Sequence, residues 1–216
     1  MVRITILILV LLNQSPDTQI HFCPLTADEN LFKNFNYKPK IYQQHLKKYM
    51  KIYPQTGGQY WLTVCIPTLL YPKSHGGITL ASNDPFQHPL IDPKYLTEHE
   101  DVERLVSGCK LVEKIYPSLI CEMNEIDVEI DQNERWESYI RKFSITIYHP
   151  VGTYKMGREQ DSTTVVTPDT RVKGVQGLRV VDASILPKIV SGNTNILLIA
   201  MAECAADLIK NGSKQL

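Results

Sequence analysis

Residues 191–209 read SGNTNILLIAMAECAADLI. The run from Ile196 to Ala202 is apolar on every side for two turns, the pattern of a helix made for burial rather than for a surface. Lys210 and Gly212 supply the cation and the glycine that end such helices, so a helix is predicted over 193–210. Ahead of it, Ser191-Gly-Asn-Thr-Asn195 places hydroxyls and carboxamides where up to four backbone N–H groups lack intrahelical partners. A helix start of this kind favours an anion or an electron-rich ring edge. On these residues alone, ordinary N-capping is the competing explanation.

Upstream, Leu178 to Val181 is apolar apart from Arg179 and predicts a strand that ends at Asp182-Ala183-Ser184. Before it lies a loop and turn region reaching Gly177. Before that, Ile145 to Tyr148 predicts a short strand running into His149-Pro-Val-Gly-Thr153. A histidine followed by Pro-x-Gly-Thr is pinned on a chain that turns sharply behind it, which suits a titratable imidazole held in a cleft. A core or turn histidine is the alternative reading. The other histidines, at 21, 45, 75, 88 and 99, never fall at metal-ligand spacing and read as surface or turn residues.

The first two thirds mix strands and helices without a βαβ rhythm. Thr18 to Phe22 alternates, with Ile20 and Phe22 on one face and Gln19 and His21 on the other, as in a half-buried strand. Asp28 to Asn36 is polar loop, and Lys40 to Lys51 predicts a basic amphipathic helix. Gly57-Gly58 breaks the chain before a strand over Tyr60 to Ile66, closed by Pro67. A turn at Lys73–Gly77 leads to a short strand at Ile78 to Ala81. Pro85, Pro89 and Pro93 then mark an extended excursion. Thr97 and Glu100 form a capping-box pattern for a helix carrying Val102, Leu105, Val106, Cys109 and Val112 at core spacing, stopping near Tyr116-Pro117. A second helix, Asn133 to Phe143, presents Trp136, Tyr139 and Ile140 on one side. The fold class is therefore α+β: an antiparallel sheet with flanking helices.

Composition narrows the function classes. Among 216 residues, 23 basic and 23 acidic side chains leave no formal net charge, so neither nucleic acid nor an anionic membrane is advertised. Five scattered cysteines, Cys23, Cys65, Cys109, Cys121 and Cys204, suit reduced core residues better than a disulfide scaffold. Met1 to Leu12 is too short to span a bilayer. It reads equally as the centre of a secretory signal, a buried β segment or a misplaced gene start. Sequons at Asn13 and Asn211 fit secretion, and localisation stays open. The sequence contains no Gly-x-Gly-x-x-Gly, no Gly-Lys-Ser/Thr loop, no His-Glu-x-x-His and no Gly-x-Ser-x-Gly.

Three ordered strings carry a resemblance: YHPVGTYKMG at 148–157, VTPDTRVKGVQGLRVVDASILP at 166–187 and SGNTNILLIAMAECAADLI at 191–209. Together they resemble the C-terminal end of the glucose-methanol-choline (GMC) oxidoreductases, flavoproteins that oxidise alcohols. PDTQIHF at 16–22, YPKSHGGITLASNDPFQHPLIDPKYL at 71–96 and SITIYHPVGT at 144–153 resemble the substrate-domain half of the insect glucose dehydrogenase branch. The resemblance runs from about residue 16 to 216. It departs from the commoner pattern at Lys155, often arginine, and at Ile196-Leu197, often Ala-Pro.

This resemblance implies an apolar segment at 1–15, a substrate-binding lobe at 16–144 and, at 145–216, the strand and helix of an FAD-binding domain whose N-terminal half is absent. It implies His149 as the general base on the substrate hydroxyl and Asn193 as its partner. It puts Asp182, Ala183, Asn193, Thr194 and Asn195 beside the flavin. The partners implied are an alcohol substrate and an unidentified electron acceptor. Without the glycine-rich half, the chain alone is not expected to retain FAD, and the last helix would expose apolar surface. The alternative is a truncated, non-catalytic product that acts as an interaction module or does not fold by itself.

Overall fold

A computed structural model describes residues 6–10, 16–26, 38–41, 61–115 and 132–212. The loop predicted at 28–36, most of the helix predicted at 40–51 and the Gly57-Gly58 break lie outside them. So do Cys121, His45 and the side chain of Cys23. The chain forms two compact units: Met1–Leu69 with Val102–Ile145, and Leu70–Asp101 with Thr146–Leu216. It is an α+β fold of small antiparallel sheets and helices.

In the first unit, strands β1 (Ile6–Val10), β2 (Thr18–Thr26) and β3 (Trp61–Leu69) form an antiparallel sheet in the order β1-β2-β3. Ile20 pairs with Ile8 on one side and Pro67 on the other. The alternation expected at Thr18–Phe22 is present, with Ile20 and Phe22 buried, but Gln19 is buried too. Strand β3 does not close at Pro67 as expected; it continues to Leu69. Proline removes one ladder donor, and β3 is an edge strand, where such a loss is tolerated.

Besides the short helical turn Pro39–Ile41, the described residues here form two longer helices. Helix α1 (His99–Ile115) buries Val102 and Val112, and Val112 packs against Ile20 and Phe22 with Cys65 and Leu111 beside them. Gly108 permits the close approach: a Cβ there would lie 3.0 Å from Pro67 Cβ and 3.2 Å from Thr18 Cγ2. Helix α2 (Gln132–Phe143) buries Trp136 and Ile140, as its spacing predicts. Trp136 meets Tyr139 edge-on at 5.7 Å, a favoured aromatic arrangement.

In the second unit, strands β4 (Gly77–Thr79) and β5 (Leu90–Asp92) pair antiparallel. The turn before β4 hangs on Asp101, which is 1% exposed. Its carboxylate accepts from the Lys73 amide (2.8 Å), the Ser74 amide (2.8 Å) and the Ser74 hydroxyl (2.6 Å). A buried carboxylate needs such donors, and the turn thereby gains its anchor.

Two expected strands are absent. Ile145–Tyr148 is irregular because Tyr148 has φ +64, outside the strand region, and its amide donates to Thr146 Oγ1 at 3.0 Å instead of to a ladder. Leu178–Val181 makes only an isolated bridge between Arg179 and Arg171. Positive φ at Thr170, Gly174 and Gly177 turns the chain too often for a ladder to extend. The final helix, α3 (Thr194–Gly212), forms as predicted but is not buried in this chain: Ile196 is 80% and Ile199 57% exposed. Among the described residues, no helix is long and apolar enough to cross a membrane.

Cys65, Cys109 and Cys204 are free thiols. Cys204 is exposed rather than buried, because it lies on the uncovered surface of α3. Burial, with a smaller contribution from Glu113, pushes the Cys109 thiol up to about 12. Since the thiolate is the nucleophile, Cys109 stays protonated and inert at pH 9, whereas Cys204 is open to solvent. Alkylation between pH 7 and 9 followed by peptide mass spectrometry should therefore label the exposed Cys204 in the folded protein. Cys109 should stay unlabelled across that window until the protein is unfolded.

Candidate functional site

The three C-terminal strings are knitted together inside the second unit. The Tyr154 amide donates to Ser184 O and the Met156 amide to Ile185 O, each at 2.9 Å. Ile185 itself is fully buried. It sits in a short 3-10 turn, Ala183–Ile185, capped by Asp182, whose carboxylate accepts from the Ser184 amide at 2.8 Å. The Ser184 hydroxyl donates to the same carboxylate oxygen. Further along, Gly157 N donates to Val166 O and Val165 N to Lys155 O, each at 2.9 Å. Lys173 Nζ closes the intervening loop on Arg158 O (2.7 Å), Asp161 O (2.8 Å) and Thr164 Oγ1 (2.6 Å).

A buried β-branched residue, Thr170, takes φ +69, a conformation such residues rarely adopt. Arg179 holds it there: its guanidinium donates to Asp169 O and reaches Thr170 Oγ1 at 3.3 Å. This explains the single charge in the otherwise apolar run at 178–181. The Thr167 hydroxyl, with Arg171 and Arg179 nearby, keeps the Asp169 carboxyl below its ordinary range.

The backbone also fixes His149. Tyr148 before it is left-handed, Pro150 after it restricts His149 to extended conformations, and Gly152 takes φ +89. Left-handed Tyr148 costs on the order of 1–3 kcal/mol, strain of the kind that gathers at functional sites. The imidazole, half-buried, meets the first residue of α3: Thr194 Oγ1 lies 3.0 Å from His149 Nδ1. Thr194 is 5% exposed.

Asn193 stands immediately before α3, exposed, with its carboxamide bonded to no described residue. Histidine and asparagine are thus linked through Thr194, across 45 positions of sequence. Asn195 lies exposed in the first turn of α3. Asp182 and Ala183 belong to the capped turn, and no hydrogen bond among the described residues joins Asp182 to Asn193, Thr194 or Asn195. The Asp182 side chain is already committed to Ser184. The Thr194–His149 contact was not legible in the sequence. A threonine beside a helix start carries no signal of a partner 45 residues away.

Chemically, a ring nitrogen able to take a proton lies beside a helix start whose first N–H groups and neighbouring carboxamide are available as donors. That donor set fits the electron-rich edge of a ring or an oxyanion.

The family model for the GMC oxidoreductases matches residues 72–202. An alcohol dehydrogenase [acceptor] of Pseudomonas putida is 38% identical over 180 residues, covering 81% of this chain and 31% of that protein. A glucose dehydrogenase [FAD, quinone] of Drosophila pseudoobscura pseudoobscura is 36% identical over 157 residues, covering 67% of this chain and 25% of that one. Among solved structures, a formate oxidase of Aspergillus oryzae RIB40 superposes with a TM-score of 0.66 at 24% identity, over 94% of this chain and 33% of that chain, a likeness of fold. The chain thus spans a third or less of the length of these relatives.

Because Ile185 is fully buried beneath the Tyr154 and Met156 bonds, Ile185→Ala should lower stability by about 2–5 kcal/mol, the usual cost of such a cavity. Val175→Ala, at a half-exposed position, should stay within about 0.5 kcal/mol of the parent. Urea denaturation curves of the two variants measure the difference.

Proposed function

This chain belongs to the GMC oxidoreductase family, and from that premise we propose that it is the C-terminal part of an FAD-dependent enzyme that oxidises the CH–OH group of an alcohol or sugar. The observation that carries the reading is the 3.0 Å contact that sets His149 at the start of α3, next to Asn193. The three-lobe division at 1–15, 16–144 and 145–216 and the insect glucose dehydrogenase-like branch are part of the same proposal. The branch rests on the strings at 71–96 and 144–153.

His149 takes the proton of the substrate hydroxyl at Nε2, since Nδ1 is engaged by Thr194. Asn193 donates a hydrogen bond to the same oxygen as negative charge develops there, and holds the reacting carbon in line. Asp182, Ala183, Asn193, Thr194 and Asn195 would hold the flavin, mostly through backbone groups, with the N–H groups opening α3 available to an electron-rich ring edge. Bound there, the flavin supplies the acceptor for the hydride that leaves the alcohol carbon.

A second reading, a non-catalytic interaction module, draws on the exposed Ile196 and Ile199 of α3. The two readings part experimentally. With no Gly-x-Gly-x-x-Gly in the sequence, the chain alone should not retain flavin, and its purified absorbance spectrum should lack a stoichiometric yellow chromophore. Fused to the flavin-binding half of a relative, it should support anaerobic flavin reduction by an alcohol in stopped flow. His149→Ala should slow that step by roughly 10²–10⁴ and Asn193→Ala by a smaller factor. Undiminished reduction by the His149→Ala fusion at every pH would remove the assigned base. A parent fusion that binds flavin but reduces it with no alcohol or sugar would leave the interaction module as the better reading.

A further inference from the structure

We propose that Thr194 is a positioning residue that holds His149 as the tautomer protonated on Nδ1, so that Nε2 keeps its lone pair; the inference rests on the reading of His149 as base. Thr194 is 5% exposed, and among the described residues its side chain meets His149 Nδ1, at 3.0 Å.

A threonine hydroxyl can donate or accept, whereas a neutral imidazole carries one N–H and one lone pair. The two directions have opposite consequences. If Thr194 donated to Nδ1, the ring proton would sit on Nε2, the nitrogen left for a ligand, and the imidazole could only donate there. If Nδ1–H donates to Thr194 Oγ1, Nε2 is free to accept a proton. Only the second direction makes a base, and it works through the partner of the other ring nitrogen, as the tautomer of a histidine generally does.

The contact is not a chance meeting of two mobile side chains. His149 is fixed by left-handed Tyr148 before it and Pro150 after it, and Thr194 is fixed as the first residue of a 19-residue helix. The loop that follows the histidine is itself bonded to the Ala183–Ile185 turn. Threonine at 194 therefore has a role distinct from that of Asn193. It does not touch the substrate oxygen; it decides which nitrogen of His149 does.

The full chain, uniformly labelled with ¹⁵N, provides the test without any cofactor. Two-bond ¹H–¹⁵N correlation spectra at a pH where the imidazole is neutral distinguish the two ring nitrogens directly. The expected native result is a single His149 form with a protonated Nδ1 and an unprotonated Nε2. Thr194→Val, which keeps the shape and removes the hydroxyl, should convert this to a mixture of tautomers, and Thr194→Ser should restore the single form. A native spectrum with the proton on Nε2 overturns the proposal, as does a Thr194→Val spectrum indistinguishable from the parent. Should Thr194→Val not fold, the native and Thr194→Ser spectra still decide the direction of the bond. A correct tautomer combined with full activity of the His149→Ala fusion would defeat the catalytic reading alone and leave the Thr194 assignment standing.

Discussion

Two backbone hydrogen bonds, Tyr154 N to Ser184 O and Met156 N to Ile185 O, hold together the segment of the second unit that carries His149. They cross the lid of a fully buried isoleucine and tie the chain behind His149 to the capped turn that leads towards α3. Neither strand expected here exists, so no ladder does this work. Isolated bridges, a lysine folded over three oxygens and an arginine clamping a left-handed threonine take its place. Irregular backbone of this kind needs side chains to satisfy its polar groups, and the sequence between 157 and 182 supplies them.

The consequence for chemistry is rigidity where the chain has least regular structure. A strained Tyr148 and a proline-restricted His149 persist because the surrounding turns over-determine them. An imidazole held in this way presents one geometry to anything that meets it, and orientation of that kind is worth several kcal/mol in a reacting site. The exposed carboxamide of Asn193 beside it has no internal partner among the described residues to compete with a ligand.

Much of the fold was legible from local pattern. Periodicity located α1, α2 and α3, the alternation at 18–22 located β2, and the three ordered strings located the family. What failed was the reading of short apolar runs as strands. Ile145–Tyr148 and Leu178–Val181 have strand composition, but composition does not report a positive φ at Tyr148 or Thr170. Pro67 misled for the opposite reason: a proline stops a central strand, yet β3 lies at an edge. Cys204 was expected in the core and is exposed, because it lies on the open surface of α3. The apolar surface of α3 is exposed as expected for this chain, with Ile196 and Ile199 facing outward. For the candidate site, the resemblance named His149, Asn193 and Thr194 alike, whereas the contact between His149 and Thr194 joins residues far apart in sequence and left no mark there.

The claim on which the account turns is that this chain, by its own folding, brings the imidazole of His149 to the first residue of α3. A nuclear Overhauser effect between the His149 ring proton that lies between the two nitrogens and the Thr194 side chain reports that approach directly. In the folded full chain the effect should be present. A well-dispersed spectrum of the folded chain in which both resonances are assigned and no such effect appears would contradict it.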